Sequence, residues 1–235
     1  LLLADTFNRA FEPENLRSGL KVLHAAGLRV GVAKGDGRPV CCGRTYLATR
    51  MVDRARVEAQ RMLAALQGDA PVIGLEPSCL FTLKDEFPSL LPGSEAQKLA
   101  DRAMLLGEYL AKTKPALPYQ TLAATAHVHG HCHQKSFGAF VPGLAALRQI
   151  PGLDAKPIAS SCCGMAGSFG YQSESQHASR AMAEASLLPA VRAAGADDII
   201  IADGTSCRHQ INDLGGRKAV HSVVVMARAL GVASV

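Results

Sequence analysis

The chain has no tryptophan, and only 5% of its residues are aromatic. It has no basic block either: 25 Lys and Arg and 20 Asp and Glu are scattered along its length, for a formal charge of +5. Both shortages argue against a nucleic-acid groove that works by base stacking. Long hydrophobic runs are missing as well. Stretches such as Ser222–Met226 fall far short of the roughly 20 residues a membrane span needs, and no charged segment precedes an apolar one as in a signal peptide. There is no P-loop, and Gly164-x-x-Gly167-x-x-Gly170 lacks the spacing and acidic follower of a dinucleotide fingerprint. No Ser-His-Asp arrangement follows from the spacing around Ser160 and Ser161. The initiator Met is absent: the sequence opens at Leu1-Leu2-Leu3-Ala4-Asp5, which reads as a strand and suggests a piece of a longer protein. What remains is a chain of 235 residues, 48% hydrophobic and 19% charged. That composition excludes disorder and builds a real core.

Seven cysteines stand out, four of them in the adjacent pairs Cys41-Cys42 and Cys162-Cys163. A secreted disulfide framework is usually short, even-numbered and loop-rich. This chain is long and Ala-rich, so its thiols read as reduced, cytosolic and available to a metal or to redox chemistry. The doublets also differ from the Cys-x-x-Cys of thioredoxin.

The hydrophobic pattern predicts one plan twice. In the first half, strands are expected over 1–7, 29–33 and 71–75. Helices are expected over 13–26, with Gly27 as C-cap, then 41–66, from Pro77-Ser78-Cys79 onward, and 95–111. In the second half, strands are expected over 124–131, 156–159 and 198–202. Helices are expected over 143–150, 173–194 with Ser173 and Gln176 as a capping box, from Thr205-Ser206-Cys207 onward, and 218–230. The fold class is therefore α/β, with two tandem pseudo-twofold-related units, each a small mostly parallel sheet flanked by helices. The units are 1–113 and 121–235, with 114–120, carrying Pro115 and Pro118, as linker.

In such sheets functional groups gather at the carboxyl ends of the strands. Cys132, Cys162, Cys163 and Cys207 each follow a predicted strand, so four thiolates can converge, a donor set suited to an iron–sulfur cluster or to zinc. Helix N-termini after Cys163 and Cys207 would direct partial positive charge at them, and Gly164 and Gly167 permit close backbone approach. Buried cysteine as a small hydrophobe is the alternative. The first half offers Cys41, Cys42 and Cys79, with Asp5 or Glu76 as a fourth ligand, or else a vestigial site kept for packing. His127, His129, His131 and His133 alternate and would share one face of a strand, as ligands or as groups that hydrogen-bond, move protons or touch substrate. Arg44, Lys135 and Arg208, each a few residues from a thiol, are candidates to balance negative charge or receive an anionic substrate.

Cys41-Cys42-Gly43, Glu76-Pro77-Ser78-Cys79, Gly130-His131-Cys132-His133-Gln134-Lys135 and Cys162-Cys163-Gly164-Met165-Ala166-Gly167-Ser168-Phe169-Gly170 together resemble the duplicated cysteine-rich CCG domain. That domain occurs in the B component of heterodisulfide reductase and in the iron–sulfur component of glycolate oxidase. The wording is most similar to the C-terminal region of large fused FAD-linked oxidases of D-2-hydroxy acids such as D-lactate or D-2-hydroxyglutarate. The resemblance covers essentially the whole chain. It implies an electron-transfer module with an iron–sulfur cluster of the 4Fe-4S kind on Cys132, Cys162, Cys163 and Cys207. It also implies upstream FAD-binding and ferredoxin-like modules as partners, and a cytoplasmic location with room for peripheral attachment at the inner membrane face. The fragment alone should not turn over substrate. Arg44, His131 or Lys135 would contribute to a carboxylate pocket of the parent enzyme. The family's fuller pattern is a lone Cys, a Cys-Cys-Gly and a Cys-x-x-Cys in each half. Here Gly204 stands for the first Cys of the second closing pair, Glu76 for that of the first, and the first half lacks the lone Cys. A zinc-tied structural module and a thiol–disulfide redox domain are the competing readings.

Overall fold

In the computed structural model, which describes residues 1–231, short apolar segments pair as parallel strands and helices pack over them. Residues 232–235, the end of the second sequence unit, lie outside the described residues. The first half runs α1 (Thr6–Ala10), α2 (Pro13–Ala25), α3 (Arg44–Ala48), α4 (Val52–Ala65), β1 (Val72–Gly74), α5 (Pro77–Lys84), α6 (Glu86–Leu90), α7 (Ser94–Arg102), β2 (Ala103–Leu105) and α8 (Leu106–Thr113). The second runs β3 (Ala124–His129), α9 (Cys132–Ser136), α10 (Phe140–Leu147), β4 (Leu153–Pro157), a 3-10 turn (Phe169–Tyr171), α11 (Gln176–Glu184), α12 (Leu187–Ala193), β5 (Ile199–Ala202), α13 (Thr205–Gly215), β6 (Ala219–Val220) and α14 (Ser222–Ala229). No described helix is long and apolar enough to cross a membrane.

The expected α/β class holds. The second sheet has the order β4-β3-β5-β6, every pair parallel. In the first half β1 and β2 pair in parallel, and Leu2 bridges in parallel to Ile73 of β1 and to Val32 on its other side. Val32, Leu2, β1 and β2 thus repeat the order of β4, β3, β5 and β6. The helices repeat it too: α2 packs on α14, and α8 on α10. Each half therefore lays its first crossover helix against the last helix of the other. A Cβ on Gly107 would lie 2.7 Å from the Gly143 Cα, so the missing side chain lets α8 and α10 meet backbone to backbone. The largest apolar cluster joins Val22, Leu23, Ile73, Leu75 and Leu110 to Val128, Leu144, Leu147, Val223 and Met226. Each such side chain contributes about 1.5–3 kcal/mol on burial.

Several boundaries differ from the sequence pattern, and local hydrogen bonding is the reason. The opening strand is short, because the Asp5 carboxylate accepts from the Phe7 and Asn8 amides, both at 3.0 Å, and starts α1 at Thr6. The helix expected over 41–66 is two: Gly43, at φ +79°, starts α3, and Arg50, at φ +62°, separates it from α4. The helix expected over 95–111 is interrupted by β2. The one expected over 173–194 is divided at Ser186, and its N-cap is Ser175, with no side-chain capping bond. Residues 218–230 give a strand first, then α14, whose cap is His221 accepting from Val223 N at 3.0 Å.

A buried polar tie closes the junction. Arg208, 2% exposed, donates from Nε to Glu12 at 2.8 Å and to the carbonyls of Ala202 and Asp203 at 2.8 and 2.7 Å. Glu12 also accepts from Thr205 Oγ1 at 2.7 Å. Burial works against ionisation of Glu12, but the bonds and charge of Arg208 prevail and hold its carboxyl below the usual range. Removing one partner of a buried pair leaves the other charge uncompensated. Glu12→Ala should therefore cost about 3 kcal/mol at pH 7, read by chemical denaturation. Because the folded carboxyl titrates below its ordinary value of 4.5, its contribution is present above that pH and lost as pH falls through the folded value. The gap between wild type and variant should close on acidification.

Candidate metal centre

The site forms at the carboxyl ends of three neighbouring parallel strands. Cys132 opens α9 just beyond β3, Cys162 and Cys163 lie in the loop after β4, and Cys207 is in the first turn of α13 after β5. The loop is held in place by its backbone. Gly164, Ala166 and Gly167 all have positive φ, and a Cβ on Gly164 would meet the Ser179 carbonyl at 2.2 Å. The Gly164 amide donates to Cys162 Sγ at 3.3 Å. Lys135 Nζ donates to the Ser160 carbonyl at 2.6 Å and also to that of Ser161, anchoring the chain before the doublet. The helix expected from Ser173 begins at Gln176, well beyond Cys163, with only the 3-10 turn between them. Helix-terminal charge therefore reaches Cys207 from α13 alone of the two helices foreseen.

The four second-half thiols interact pairwise along a row. Cys132 hydrogen-bonds with Cys162, Cys162 with Cys163, and Cys163 with Cys207. Cys163 and Cys207 are buried, while Cys132 and Cys162 are half-buried. The protons alternate along the row. The hydrogen bond from Cys132 draws the Cys162 thiol down to about 2, and that from Cys163 draws Cys207 well down. Cys132 and Cys163, the donors, are pushed up in turn by their bonds to Cys162. A bound cation would displace the protons that the row shares.

The first half makes the same row with different chemistry. Thr6, standing where Cys132 stands in the other half, bonds Cys41; Cys41 bonds Cys42, and Cys42 bonds Cys79. Here every thiol is pushed up. For Cys41 the bond with Cys42 comes first, then burial. In Cys42 the bond from Cys41 pulls down, but the bond to Cys79 and complete burial prevail. The bond with Cys42 lowers Cys79, yet burial and the nearby charges of Asp5 and Glu76 raise it to about 11. Both carboxylates are engaged. Asp5 caps α1 and accepts from Asn8 Nδ2 at 2.7 Å, and burial followed by the charge of Glu76 lifts it to about 6. Glu76 accepts from Ser78 Oγ at 2.6 Å and, across the junction, from the Thr205 amide at 2.8 Å.

The four alternating histidines do not share a face, because β3 ends at His129. His127 pairs with Asp198 at 2.8 Å. His131 becomes the N-cap of α9, its Nδ1 accepting from His133 N at 3.2 Å. His133 lies 3.2 Å from Arg44 Nη2, and burial, then the Arg44 charge, hold it down at about 4. Arg44 also pairs with Glu86 at 2.6 Å. The three cations expected beside the thiols are therefore all committed to protein partners: Arg44 to Glu86, Lys135 to backbone carbonyls and Arg208 to Glu12. Sequence reasoning missed Ser160, Thr205 and Glu12, none of which bears a motif. Only alignment of the two halves on their Cys-Cys-Gly and Ser-Cys landmarks points to Thr6 and Glu76 as counterparts of Cys132 and Gly204.

Four cysteines at neighbouring strand ends, two of them drawn down by their neighbours, are the kind of donors that hold a metal or cluster through thiolates. Residues 128–212 match the model of the cysteine-rich domain CCG. Among curated proteins it is similar to the C component of the anaerobic glycerol-3-phosphate dehydrogenase of Escherichia coli (strain K12). That relative is 31% identical over 220 residues, spanning 90% of this chain and 54% of its own length. The chain is also similar to D-2-hydroxyglutarate dehydrogenase of Pseudomonas putida, 28% identical over 236 residues, or 96% of this chain and 22% of the relative. The B component of the fumarate reductase (CoM/CoB) of Methanothermobacter marburgensis is 28% identical over 151 residues, 63% of this chain and 29% of the relative. The chain thus spans about half, or less, of the length of these relatives.

The residues present fit such a group. Beside the sulfurs the His129 Nε2 is buried with no oxygen or nitrogen partner, while, after the bond from Cys163, its ring interacts with Cys207 and helps draw that thiol down. The charge pattern also has a direct chemical readout in metal-free protein, because thiolates rather than thiols are alkylated. Under anaerobic iodoacetamide at pH 7, Cys162 should be modified on the order of tenfold or more faster than Cys41, by peptide mass mapping.

Proposed function

We propose that the chain is an iron–sulfur electron-transfer module of a flavin-dependent dehydrogenase, holding a 4Fe-4S cluster on Cys132, Cys162, Cys163 and Cys207. The observation that carries this reading is the gathering of four cysteines at the carboxyl ends of three neighbouring strands, with a His129 ring nitrogen and the sulfurs of Cys163 and Cys207 within 4.8 Å of one another. When bound, such a cluster takes up and passes on single electrons. The chain's own residues form and shield its seat. Lys135 fixes the loop before Cys162, Gly164 brings the backbone close, and α13 directs its amide ends toward Cys207. Cys163 and Cys207 bury one end of the seat, and half-exposed Cys132 and Cys162 leave the other open to a partner.

The substrate side lies on other modules. We place FAD-binding and ferredoxin-like parts upstream in the parent protein, which would oxidise a D-2-hydroxy acid such as D-lactate or D-2-hydroxyglutarate. The names of two relatives, dehydrogenases of D-2-hydroxyglutarate and glycerol-3-phosphate, support an alcohol-oxidising partner. We read residues 1–113 and 121–235 as two copies of one unit joined by 114–120. The first copy, whose thiols keep their protons, serves as scaffold. The module works on the cytoplasmic side, attached to a membrane only through partners.

Anaerobic reconstitution with ferrous iron and sulfide tests the reading. Wild-type chain should take up about four irons with matching sulfide and turn brown. Cys162→Ser and Cys207→Ser should fall to background, and Cys41→Ser should keep full loading. Stoichiometric zinc with exclusion of iron, or full loading in Cys162→Ser, would overturn it.

A further inference from the structure

His129 ends β3 with 1% of its surface exposed. One of its ring nitrogens and the sulfurs of Cys163 and Cys207 all lie within 4.8 Å of one another. Its Nδ1 is 2.8 Å from Ser160 Oγ, and that hydroxyl donates onward to the Ile158 carbonyl at 3.5 Å. With the hydroxyl donating to that carbonyl, Nδ1 carries the ring proton and Nε2 holds the lone pair that a metal takes. Nε2 is buried with no oxygen or nitrogen partner, and, after the bond from Cys163, the ring's interaction with Cys207 helps draw that thiol down.

His131 is the informative contrast. Its Nδ1 accepts a backbone proton, so in the neutral ring Nε2 bears the hydrogen and has no lone pair to give. Its ring packs over Gly204: a Cβ there would lie 2.4 Å from His131 Cδ2 and 3.3 Å from Cys207 Sγ. His131 thus fills space beside Cys207, whereas His129 presents a donor atom. The first half has no counterpart. Matching the Leu2–Ile73 bridge to the Val128–Ile201 pair puts Leu3 where His129 stands.

We propose that His129 Nε2 is a ligand of the metal centre held by Cys163 and Cys207, with Ser160 as the positioning residue that fixes its ring. The proposal deepens the function above and rests on it only in requiring a bound metal. It holds for a cluster or for a single ion. His129 adds a neutral donor to the thiolates, so a cluster bound there has a higher midpoint potential than one with a thiolate at that same position.

Two probes separate this from the iron–sulfur reading. The first is Co²⁺ alone, added to the anaerobic chain. Wild type should give the ligand-field bands of mixed sulfur and nitrogen coordination, and His129→Ala those of sulfur with water, with roughly tenfold or greater loss of affinity. Ser160→Ala should keep the nitrogen but bind about tenfold or more weakly. The second probe is the reconstituted, reduced cluster. Histidine labelled with ¹⁵N should change the hyperfine coupling in pulsed EPR, and His129→Cys should lower the midpoint potential. The control His127→Ala, whose ring pairs with Asp198, should leave both unchanged. The labelling experiment needs no variant, so it decides even where His129→Ala does not fold. Histidine nitrogen coupling absent from wild type, or persisting in His129→Ala, would overturn the proposal. Nitrogen on cobalt without cluster assembly would sink the iron–sulfur reading and leave His129 in place. A cluster coupled to no histidine would do the reverse.

Discussion

Four sulfurs packed in a row cannot all keep their protons or all lose them, and the C-terminal half is arranged around that constraint. Bare thiolates in contact would repel in a medium of low effective dielectric. Four buried thiols would be an inert hydrophobic patch. The alternation, with Cys162 and Cys207 drawn down and Cys132 and Cys163 pushed up, is the compromise open to the metal-free protein. It depends on the loop that Gly164 and Lys135 hold, because sulfurs from three strand ends meet only if the doublet turns back toward the sheet. A polyvalent cation resolves the same repulsion more completely, by replacing shared protons with its own charge.

The first half shows what happens when that arrangement is altered at a few positions in an otherwise repeated plan. Thr6 replaces Cys132, Leu3 replaces His129, and Glu76 with Asp5 adds negative charge where the other half has Gly204 and His131. Each change disfavours ionised sulfur: a hydroxyl removes a thiol, leucine a nitrogen donor, and carboxylates repel thiolates. The outcome is three thiols all driven up. The same backbone plan therefore yields thiols drawn alternately down and up in one half and thiols all pushed up in the other.

How much of this the sequence discloses depends on the range of the interaction concerned. Strands and crossover helices are legible because they rest on local periodicity, and the four cysteines read as following strands do lie at or just beyond the ends of neighbouring strands. Boundaries were lost where one local bond outweighs periodicity. Asp5 starts α1 inside an expected strand, Arg50 breaks an apolar stripe that continues on paper, and β2 lies inside a segment with a helical pattern. The histidine tract was misjudged for a related reason: alternation implies a shared face only while the strand lasts, and β3 stops at His129. The cations were least legible. Lys135, Arg44 and Arg208 lie near thiols in sequence, but their partners are loop carbonyls, Glu86 and Glu12, which no local pattern announces.

The contact from Glu76 to the Thr205 amide shows why the altered first half is not dispensable to the second. Thr205 is the first residue of α13, and Cys207 follows two positions later in the same turn. A carboxylate from the other half thus supplies the N-terminal cap that α13 does not get from its own Gly204, whose place beside Cys207 is taken by His131. Glu12, also from the first half, accepts from the Thr205 hydroxyl and the Arg208 side chain in the same turn. The helix that presents the most buried sulfur is therefore oriented by side chains from across the junction. With α2 on α14 and α8 on α10 sharing one apolar core, the halves are coupled mechanically as well as electrostatically. The carboxylate that crowds the first set of thiols is the same one that caps the helix of the second, which gives that half a physical reason to keep Glu76.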